Sequence, residues 1–361
     1  MRLRISRILG SGLAVILAAC HPFVSPSIIN GSEVEQSLTY RDPGFRQDIT
    51  VIELADDGAH LIVGSKNGIA SYLLASREYE WERAYIGIQD VSYFDNNERL
   101  LVLGSTVEYD VAVVMDALSG SIEYGIDLSS SFGATSVAIS PDGDLAAFGF
   151  WGGVVMLWDL EQQKLLHLWT DHFERRQAGG QDTIVQWSPD GSQLVAGGWW
   201  TEIVVWDAIT YDLVYLLDNP FEVSNIRVSP SGEYVAANST ENQIAIWDLT
   251  TGQLVSQWRM PELEVDVAVG GPTLGIEWSP DNQYLAAGTN LGAINIWETD
   301  QYSQIVSLKP EYYPAESTGV NNIRWAPDGE LLYASTYDAK VLVWDWRNAQ
   351  LLDSIGAPHF R

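Results

Sequence analysis

Five turns of the type Ser-Pro-Asp-Gly are each followed, seventeen residues after the proline, by a tryptophan. The spacing inside these units is constant, whereas successive prolines lie 41 to 50 residues apart. Constant units joined by segments of variable length predict a repeated structural module with variable loops. The prolines are Pro141, Pro189, Pro230, Pro280 and Pro327, and the tryptophans are Trp158, Trp206, Trp247, Trp297 and Trp344.

Each unit is expected to form a small antiparallel sheet. In residues 137–159 an apolar run ends in the Ser-Pro-Asp-Gly turn, a second run leads to Gly152-Gly153, and a third ends at Trp158. Proline presets φ for the first turn, and glycine permits the positive φ that tight turns require. A fourth run covers residues 165–169. Four short strands in about 40 residues are typical of a propeller blade.

Two weaker units precede the five regular ones. Residues 51–73 contain Asp56-Asp57-Gly58 where the others have the proline turn, and residues 91–116 contain Asp95-Asn96-Asn97. With these, the chain has seven units. The sequence therefore predicts an all-β fold, a seven-bladed β-propeller with four-stranded antiparallel blades over residues 47–356.

The units resemble those of the WD40-repeat family, in which the third strand of each blade ends in Trp-Asp. Four such dipeptides are present, at 158–159, 206–207, 247–248 and 344–345. The Gly-His pair that precedes each unit in the family is missing, and the aspartate of the second hairpin turn survives only as Asp338. The resemblance therefore implies that the family's hydrogen-bonded tetrad is lost in most blades and that packing carries more of the stability.

Tryptophan is expected to contribute to the core of the propeller. The five tryptophans of the repeat end the third strands, and Trp187, Trp278 and Trp325 lie two residues before a turn proline. Because strand positions alternate between faces, we expect these eight rings to pack between neighbouring blades.

The N-terminus has the pattern of an export signal that ends at the single cysteine. Three arginines in the first seven residues precede an apolar stretch over residues 8–19, which is too short to span a bilayer. The sequence Leu17-Ala18-Ala19-Cys20 resembles a bacterial lipobox, which implies removal of residues 1–19 and lipidation of Cys20. Ordinary cleavage nearby, with a spectator thiol, is the alternative.

Residues 20–46 are rich in proline, glycine and serine and are interpreted as a lipidated N-terminus and tether. Within this segment, residues 37–40 are a candidate strand for an exposed blade edge. Residues 350–355 are a candidate fourth strand for the last blade, so the segment that closes the ring stays open. Residues 357–361 form a tail. His21 follows the cysteine where inner-membrane lipoproteins have aspartate, which favours the outer membrane in a Gram-negative host.

The chain is strongly acidic, with 48 acidic and 19 basic residues and a formal charge of −29. Such a surface disfavours nucleic acid and anionic lipid headgroups, so a lipid would have to supply the membrane attachment. The acidity is consistent with solubility or a saline habitat, or with a preference for basic partners.

Large side chains at aligned hairpin positions are candidates for a partner-binding rim. The tenth residue after each turn proline lies in the second hairpin, at one mouth of the central channel, and turn positions usually carry small polar residues. Packing over the hairpins is the alternative. The candidates are Lys66, Trp151, Trp199, Trp200 and Tyr337.

Three long connections reach the same face, and long loops on a rigid scaffold often carry function. The first contains His172, Arg175 and Arg176, and the third contains Tyr312 and Tyr313. Phosphate-binding glycine loops, zinc-type Cys and His spacings and nucleophile elbows are missing from the sequence, so no cofactor, metal site or catalytic residue is predicted.

These features favour a monomeric, exported, lipid-anchored propeller that acts as a non-enzymatic interaction scaffold for an unidentified protein at the cell envelope. A propeller that binds glycan or peptide, or hydrolyses it, at the same rim is the alternative. Fold alone does not decide between them.

Overall fold

The computed structural model describes most of the chain. The described residues are 26–38, 49–85, 87–105, 110–128, 133–170, 182–198, 202–218, 221–239, 241–260, 275–289, 291–310 and 319–358. Within these ranges the chain forms β-strands, one short helix and one 3-10 turn.

Seven sheets make up the body of the protein, as the repeat predicted. Strand β1 (Ser27–Asn30) and helix α1 (Gly31–Leu38) precede them. Blade 1 contains β2 (Ile49–Leu54), β3 (His60–Ser65), β4 (Gly68–Leu73) and β5 (Glu78–Arg83). Blade 2 contains β6 (Ile88–Phe94), β7 (Arg99–Ser105), β8 (Asp110–Asp116) and β9 (Ile122–Asp127). Blade 3 contains β10 (Ala134–Ile139), β11 (Leu145–Phe150), β12 (Val155–Asp159) and β13 (Lys164–Trp169).

The remaining four blades have the same order of antiparallel strands. Blade 4 contains β14 (Thr183–Trp187), β15 (Gln193–Gly198), β16 (Glu202–Asp207) and β17 (Leu213–Asp218). Blade 5 contains β18 (Val223–Val228), β19 (Tyr234–Ser239), β20 (Gln243–Asp248) and β21 (Leu254–Arg259). Blade 6 contains β22 (Ile276–Trp278), β23 (Tyr284–Gly288), β24 (Ile294–Glu298) and β25 (Ser303–Leu308). Blade 7 contains β26 (Val320–Trp325), β27 (Leu331–Thr336), β28 (Lys340–Asp345) and β29 (Gln350–Gly356).

The blades form a closed ring around a channel. The first strand of each blade contacts the first strand of the next, and β26 of blade 7 contacts β2 of blade 1. Antiparallel order then puts the proline turns and the turns after the third strands on one face, which we call the bottom face. The second hairpins and the connections between blades lie on the opposite, top face.

Strands one to four of each blade come from one uninterrupted stretch of chain, so the ring closes without exchange of a strand between blades 7 and 1. Residues 350–355 lie in β29, the fourth strand of blade 7, as the sequence suggested. The hydrophobic core of the described residues is divided into seven clusters, and each cluster joins two neighbouring blades. At the closing seam, Ile49 and Val63 of blade 1 pack in one cluster with Tyr333 and Val341 of blade 7.

The N-terminal segment is fixed to blade 2, although the sequence analysis assigned it to the tether. β1 pairs antiparallel with the outer strand β9 and makes blade 2 five-stranded, with Ser27 opposite Asp127 and Asn30 opposite Tyr124. Of the predicted edge strand at residues 37–40, the described part, residues 37–38, is helical. The edge partner therefore lies about ten residues earlier, where Ile28 and Ile29 supply β-branched residues.

Helix α1 locks this segment onto the blade. Asn30 caps the helix, since its side-chain oxygen accepts hydrogen bonds from the backbone N–H groups of Ser32 (3.0 Å) and Glu33 (3.3 Å). Val34 is fully buried and occupies the space that a side chain at Gly125 would fill, because a Cβ there would lie 2.4 Å from Val34 Cγ2. Glycine at position 125 of β9 is therefore a requirement for this contact.

The tryptophans of the repeat occupy the blade boundaries. All five that end third strands are at most 2% exposed. Trp187, Trp278 and Trp325 donate indole hydrogen bonds of 3.1, 3.0 and 3.3 Å to backbone oxygens of the preceding blade. These rings therefore join neighbouring sheets through apolar contact and a hydrogen bond.

The tetrad of the WD40 family is not assembled even in the blade that keeps its aspartate. Asp338 accepts a hydrogen bond from Thr336 Oγ1 (2.6 Å) and pairs with Lys340 Nζ (2.9 Å). Among the described residues, the buried indole nitrogens of Trp158 and Trp344 have no hydrogen-bond partner. Burial of the rings, rather than the tetrad, therefore stabilises these two blades.

Candidate functional site

The top mouth of the channel forms a depression of about 520 Å³. It lies across several blades, and its wall combines an aromatic ring with charged and amide side chains. Two residues of the predicted rim, Lys66 of blade 1 and Trp151 of blade 3, line it. The other polar residues that form it include Gln89, Ser105, Asp182 and Asn321.

Trp151 is presented to solvent by a rigid turn. The second hairpin of blade 3 contains a 3-10 turn (Trp151–Gly153), in which Gly152 has φ 82°, a value that glycine adopts without strain. The backbone N–H of Trp151 donates to Gly133 O (2.8 Å), and its indole Nε1 donates to Asp182 Oδ1 (3.0 Å). The side chain is nevertheless 50% exposed. One face of a large aromatic ring is thus available at a fixed position.

Lys66 and Tyr337 lie on the same face as Trp151 but differ in position. Lys66 is exposed in the hairpin between β3 and β4, and its carbonyl accepts the N–H of Gly87 (2.8 Å). Tyr337 follows β27 directly, is half-buried, and its N–H donates to Gly319 O (3.0 Å). The structure therefore brings Lys66 and Trp151 to one depression and puts Tyr337 on the top face beside it.

The other rim and loop candidates belong to segments outside the described residues. Trp199, Trp200, His172, Arg175, Arg176, Tyr312 and Tyr313 lie outside the described residues, as does Cys20. Asp182, the first described residue after the connection that contains His172, reaches Trp151. The end of that connection therefore lies at the rim of the depression.

Sequence reasoning missed a recurring polar residue at the start of the innermost strands. Six positions before the turn proline or its equivalent stand Thr50, Gln89, Thr135 and Asn321, all of which line the depression. Each is the extra residue of a β-bulge, which turns its side chain away from the regular pleat. The recurrence of a polar residue at this spacing was the available signal.

Three of these side chains each form a hydrogen bond to the next blade of the ring. Thr50 Oγ1 donates to Ile88 O (2.6 Å), and Thr135 Oγ1 donates to Thr183 O (2.8 Å). Asn321 Nδ2 crosses the closing seam and donates to Ile49 O (2.8 Å) and Thr50 O (3.0 Å). The floor of the depression is therefore held in shape by hydrogen bonds between blades.

The bottom mouth of the channel contains a second cavity, of about 570 Å³, with charged residues in its wall. Arg227 Nε pairs with Glu277 Oε2 (3.0 Å), and Arg324 pairs with both Glu277 Oε2 (3.2 Å) and Glu53 Oε2 (2.7 Å). This chain of ion pairs runs through blades 5, 6, 7 and 1. It crosses three seams, including the one that closes the ring.

Asp90 of blade 2 faces the same channel. Its oxygens accept backbone N–H groups of Val137 (2.9 Å) and Val91 (3.0 Å). Burial raises the pKa of Asp90 to about 6, although these hydrogen bonds and the two arginines act in the opposite direction. Burial also lowers the pKa of Arg324, but Glu53 and Glu277 outweigh it and the net pKa is raised.

The channel carboxylates are held by ion pairs and hydrogen bonds with their neighbours. Glu53 and Glu277 are paired with arginine, and both Asp90 oxygens accept backbone hydrogen bonds. Among the described residues, no group of three His, Cys, Asp or Glu side chains is placed to hold a metal ion. No described helix is long and apolar enough to cross a membrane.

Seven antiparallel sheets in a ring, six of four strands and one with β1 as an added fifth strand, define the chain as a seven-bladed β-propeller. Residues 128–159 and 181–207 match the model of the WD domain, G-beta repeat, and residues 276–359 match that of the anaphase-promoting complex subunit 4 WD40 domain. The chain is thus a propeller that contains WD40 repeats, as the Trp-Asp dipeptides indicated. No curated protein shows significant similarity to it.

Proposed function

We propose that the chain is a non-enzymatic scaffold that binds a protein partner through the top-face depression. The observation that carries this proposal is the exposed, rigidly held ring of Trp151, which lines one channel mouth together with Lys66. Propellers with WD40 repeats commonly serve protein–protein interaction. Tryptophan is favoured at the centre of interfaces because it buries a large area with few rotatable bonds.

The test is a binding comparison on purified envelope extract with variants of the exposed ring. Trp151→Ala should lower recovery of the partner at least tenfold, because a central aromatic anchor contributes about 2 kcal/mol or more. Trp151→Phe should retain part of the binding, since it keeps apolar area but loses the bond to Asp182. Ile209→Ala is the matched control, because Ile209 is 81% exposed on the bottom face.

A partner set that is identical for Trp151→Ala, Ile209→Ala and the unchanged protein would show that the rim is not the binding site. The melting temperature of each variant shows whether a loss of binding is caused by misfolding. Trp151 is half exposed and belongs to no buried cluster, so its replacement should leave the melting temperature nearly unchanged.

A small ligand in the same depression is the second candidate function. Its volume lies within the range of about 300–1,000 Å³ that is usual for small-molecule sites. An exposed indole face beside amide and carboxylate groups suits a sugar ring or a short peptide. Thermal-shift measurements with cell-wall fragments test this. A saturable rise in melting temperature that Trp151→Ala abolishes would favour it over the scaffold.

The proposal also includes a lipid anchor on Cys20 and an envelope location, in the outer membrane if the host is Gram-negative. Support comes from the signal-like residues 1–19 and the lipobox-like residues 17–20. Cys20→Ala should yield unanchored or unprocessed protein, because a chain with this excess of negative charge has little affinity for a lipid surface once the lipid on Cys20 is missing. Membrane association, after a high-salt wash, of Cys20→Ala protein that has lost residues 1–19 would contradict the anchor.

A further inference from the structure

We infer that the top face is turned toward the membrane, and that its partner is a protein that projects from the same bilayer. This inference rests on the proposed lipid anchor at Cys20. It follows from where the N-terminal segment is attached to the ring, how little chain precedes it, and how charge is distributed between the two faces.

The attachment point lies at the top end of blade 2. Ser27 pairs with Asp127, the last residue of β9, and the chain then runs down the outer edge to Asn30 opposite Tyr124. β9 ends at the top face, since the connection to β10 begins there and Leu128 N–H donates to Asp110 O (3.0 Å). The residues before Ser27 therefore leave the ring at its top edge.

One row of paired residues connects this point to the depression. Ser27 pairs with Asp127, Asp127 with Val111, Val111 with Gly104 and Gly104 with Ile88, which lines the depression. Neighbouring strands are about 4.8 Å apart, so four steps cover about 19 Å. The attachment point and the depression are thus close together on the same face.

The chain between the proposed anchor and the ring is short. Seven residue steps separate Cys20 from Ser27, and a fully extended chain covers at most about 25 Å in that number of steps. β1 and α1 prevent the downstream residues from adding length, because Val34 and Leu38 are buried against the blade. A lipidated Cys20 would therefore hold the top edge of blade 2 within about 25 Å of the lipid headgroups.

The charge of the bottom face favours the same orientation. Its turns contain 14 acidic and 2 basic residues, and the strand ends on this face add seven acidic residues and two basic ones, Arg99 and Lys164. The acidic turn residues are Asp56, Asp57, Asp95, Glu98, Asp142, Asp144, Glu161, Asp190, Asp212, Glu233, Asp281, Asp300, Asp328 and Glu330, and the basic ones are Arg77 and Arg347. Many of these carboxylates accept hydrogen bonds within their turns. Their negative charges nevertheless repel anionic lipid headgroups.

The top face is less negative. Its described connections contain four acidic residues, Asp182, Glu222, Glu241 and Asp338, and two basic ones, Lys66 and Lys309. The strand ends on this face add four acidic residues, Asp110, Asp127, Glu202 and Asp218, and three basic ones, Arg83, Arg259 and Lys340. The connections between blades and the second hairpins that lie outside the described residues contain a further eight acidic and two basic residues in the sequence. Apposition of the top face to a bilayer therefore brings less negative charge near the headgroups than apposition of the bottom face.

This placement restricts the kind of partner. A gap of at most about 25 Å at blade 2, between the top face and the lipid, admits the exposed part of a protein that is held in the same membrane. A large soluble protein would have to displace the ring from the surface. We therefore assign the depression around Trp151 to a partner held in the same membrane.

The test uses the full-length lipidated protein in phosphatidylcholine vesicles that contain a small fraction of rhodamine-labelled lipid. Acylated Cys20 has no free thiol, so one introduced cysteine takes a fluorescein maleimide donor. Glu241→Cys on the top face and Thr251→Cys on the bottom face form a matched pair, since both are exposed and both lie in blade 5. Strands of six residues separate the two positions by about 20 Å.

Quenching by the labelled lipid should be about twofold stronger or more for the Glu241→Cys donor than for the Thr251→Cys donor, given their difference in height. A Gly-Ser spacer of about 20 residues inserted before Ser27 should remove the difference without affecting attachment. Equal quenching of the two donors without the spacer, or stronger quenching at Thr251→Cys, would overturn the orientation. Vesicle flotation of Cys20→Ala is scored separately, so loss of the anchor itself is recognised as failure of the proposed function.

Discussion

Arg324 of blade 7 forms ion pairs with both neighbouring blades, one of them across the closing seam. Arg324 is 17% exposed and bonds Glu53 of blade 1 at 2.7 Å and Glu277 of blade 6 at 3.2 Å. Arg324→Met removes this charge but leaves two largely buried carboxylates near Asp90. Removing one partner of a buried pair costs about 3–5 kcal/mol. Blades 7 and 1 share no strand, so side-chain contacts hold the closing seam. We therefore expect most of this loss of about 3–5 kcal/mol to appear as a lower free energy of unfolding.

The assay is urea unfolding followed by tryptophan fluorescence, for Arg324→Met, Glu53→Gln and the double variant. Part of the cost of Arg324→Met is an uncompensated carboxylate at Glu53, so the double variant should lose less stability than the two single variants together, by about 1–3 kcal/mol. Arg77→Ala is the control at the same seam. Its pair with Asp353 is 3.6 Å long, and Arg77 is 70% exposed, so the expected loss is below about 1 kcal/mol.

Two results would refute this reasoning. If Arg324→Met unfolds within about 1 kcal/mol of the unchanged protein, the seam depends on apolar packing and not on the ion pairs. If the losses of the two single variants simply add, Arg324 and Glu53 do not stabilise each other despite their contact.

Three further predictions concern other parts of the ring. The folded-state pKa of Asp90, about 6, lies above its ordinary value of 3.8, so its contribution to stability is greatest below about pH 4 and is lost as the pH rises to about 6. Relative to Asp90→Asn, the unchanged protein should therefore lose melting temperature over that interval, and parallel curves would contradict the assignment. Trp278→Ala, which empties a buried site between blades 5 and 6, should cost about 3–5 kcal/mol in urea unfolding. Val34→Asp should undock the N-terminal segment and speed amide exchange at Tyr124–Asp127, whereas Glu35→Ala, at an exposed position of the same helix, should not.

The fold was predictable because its signals are local and repeated. Proline and glycine fix each first turn, and the tryptophan seventeen residues later marks the end of the third strand, so one unit predicts the others. The weaker units were recognised from Asp56 and Asp95 at the aligned turn position. Lys66 and Trp151 could be predicted as rim residues for the same reason, since aligning the repeats identifies any residue that departs from the pattern at its position.

The N-terminal attachment was not predictable in this way. β1 has only four residues and occurs once, so no repeat marks it. Its docking depends on the missing side chain at Gly125, which is distant in sequence and suits Val34 only after the sheet has formed. The ion pairs among Arg227, Glu277 and Arg324 were equally hidden, because their partners are 47 to 50 residues apart.

The contiguity of the blades also determines how such a chain can be rearranged. In six of the seven blades the repeat unit in the sequence and the sheet have the same boundaries, so duplication or deletion of one of these units in the gene would change the number of blades without splitting a sheet. Ile49, where β2 begins, and Gly356, where β29 ends, both lie on the top face in neighbouring blades. A short peptide joining them, with new termini opened in any other connection between blades, would give a circular permutant in which every blade keeps its first four strands and only β1 and α1, which precede Ile49, are lost from blade 2.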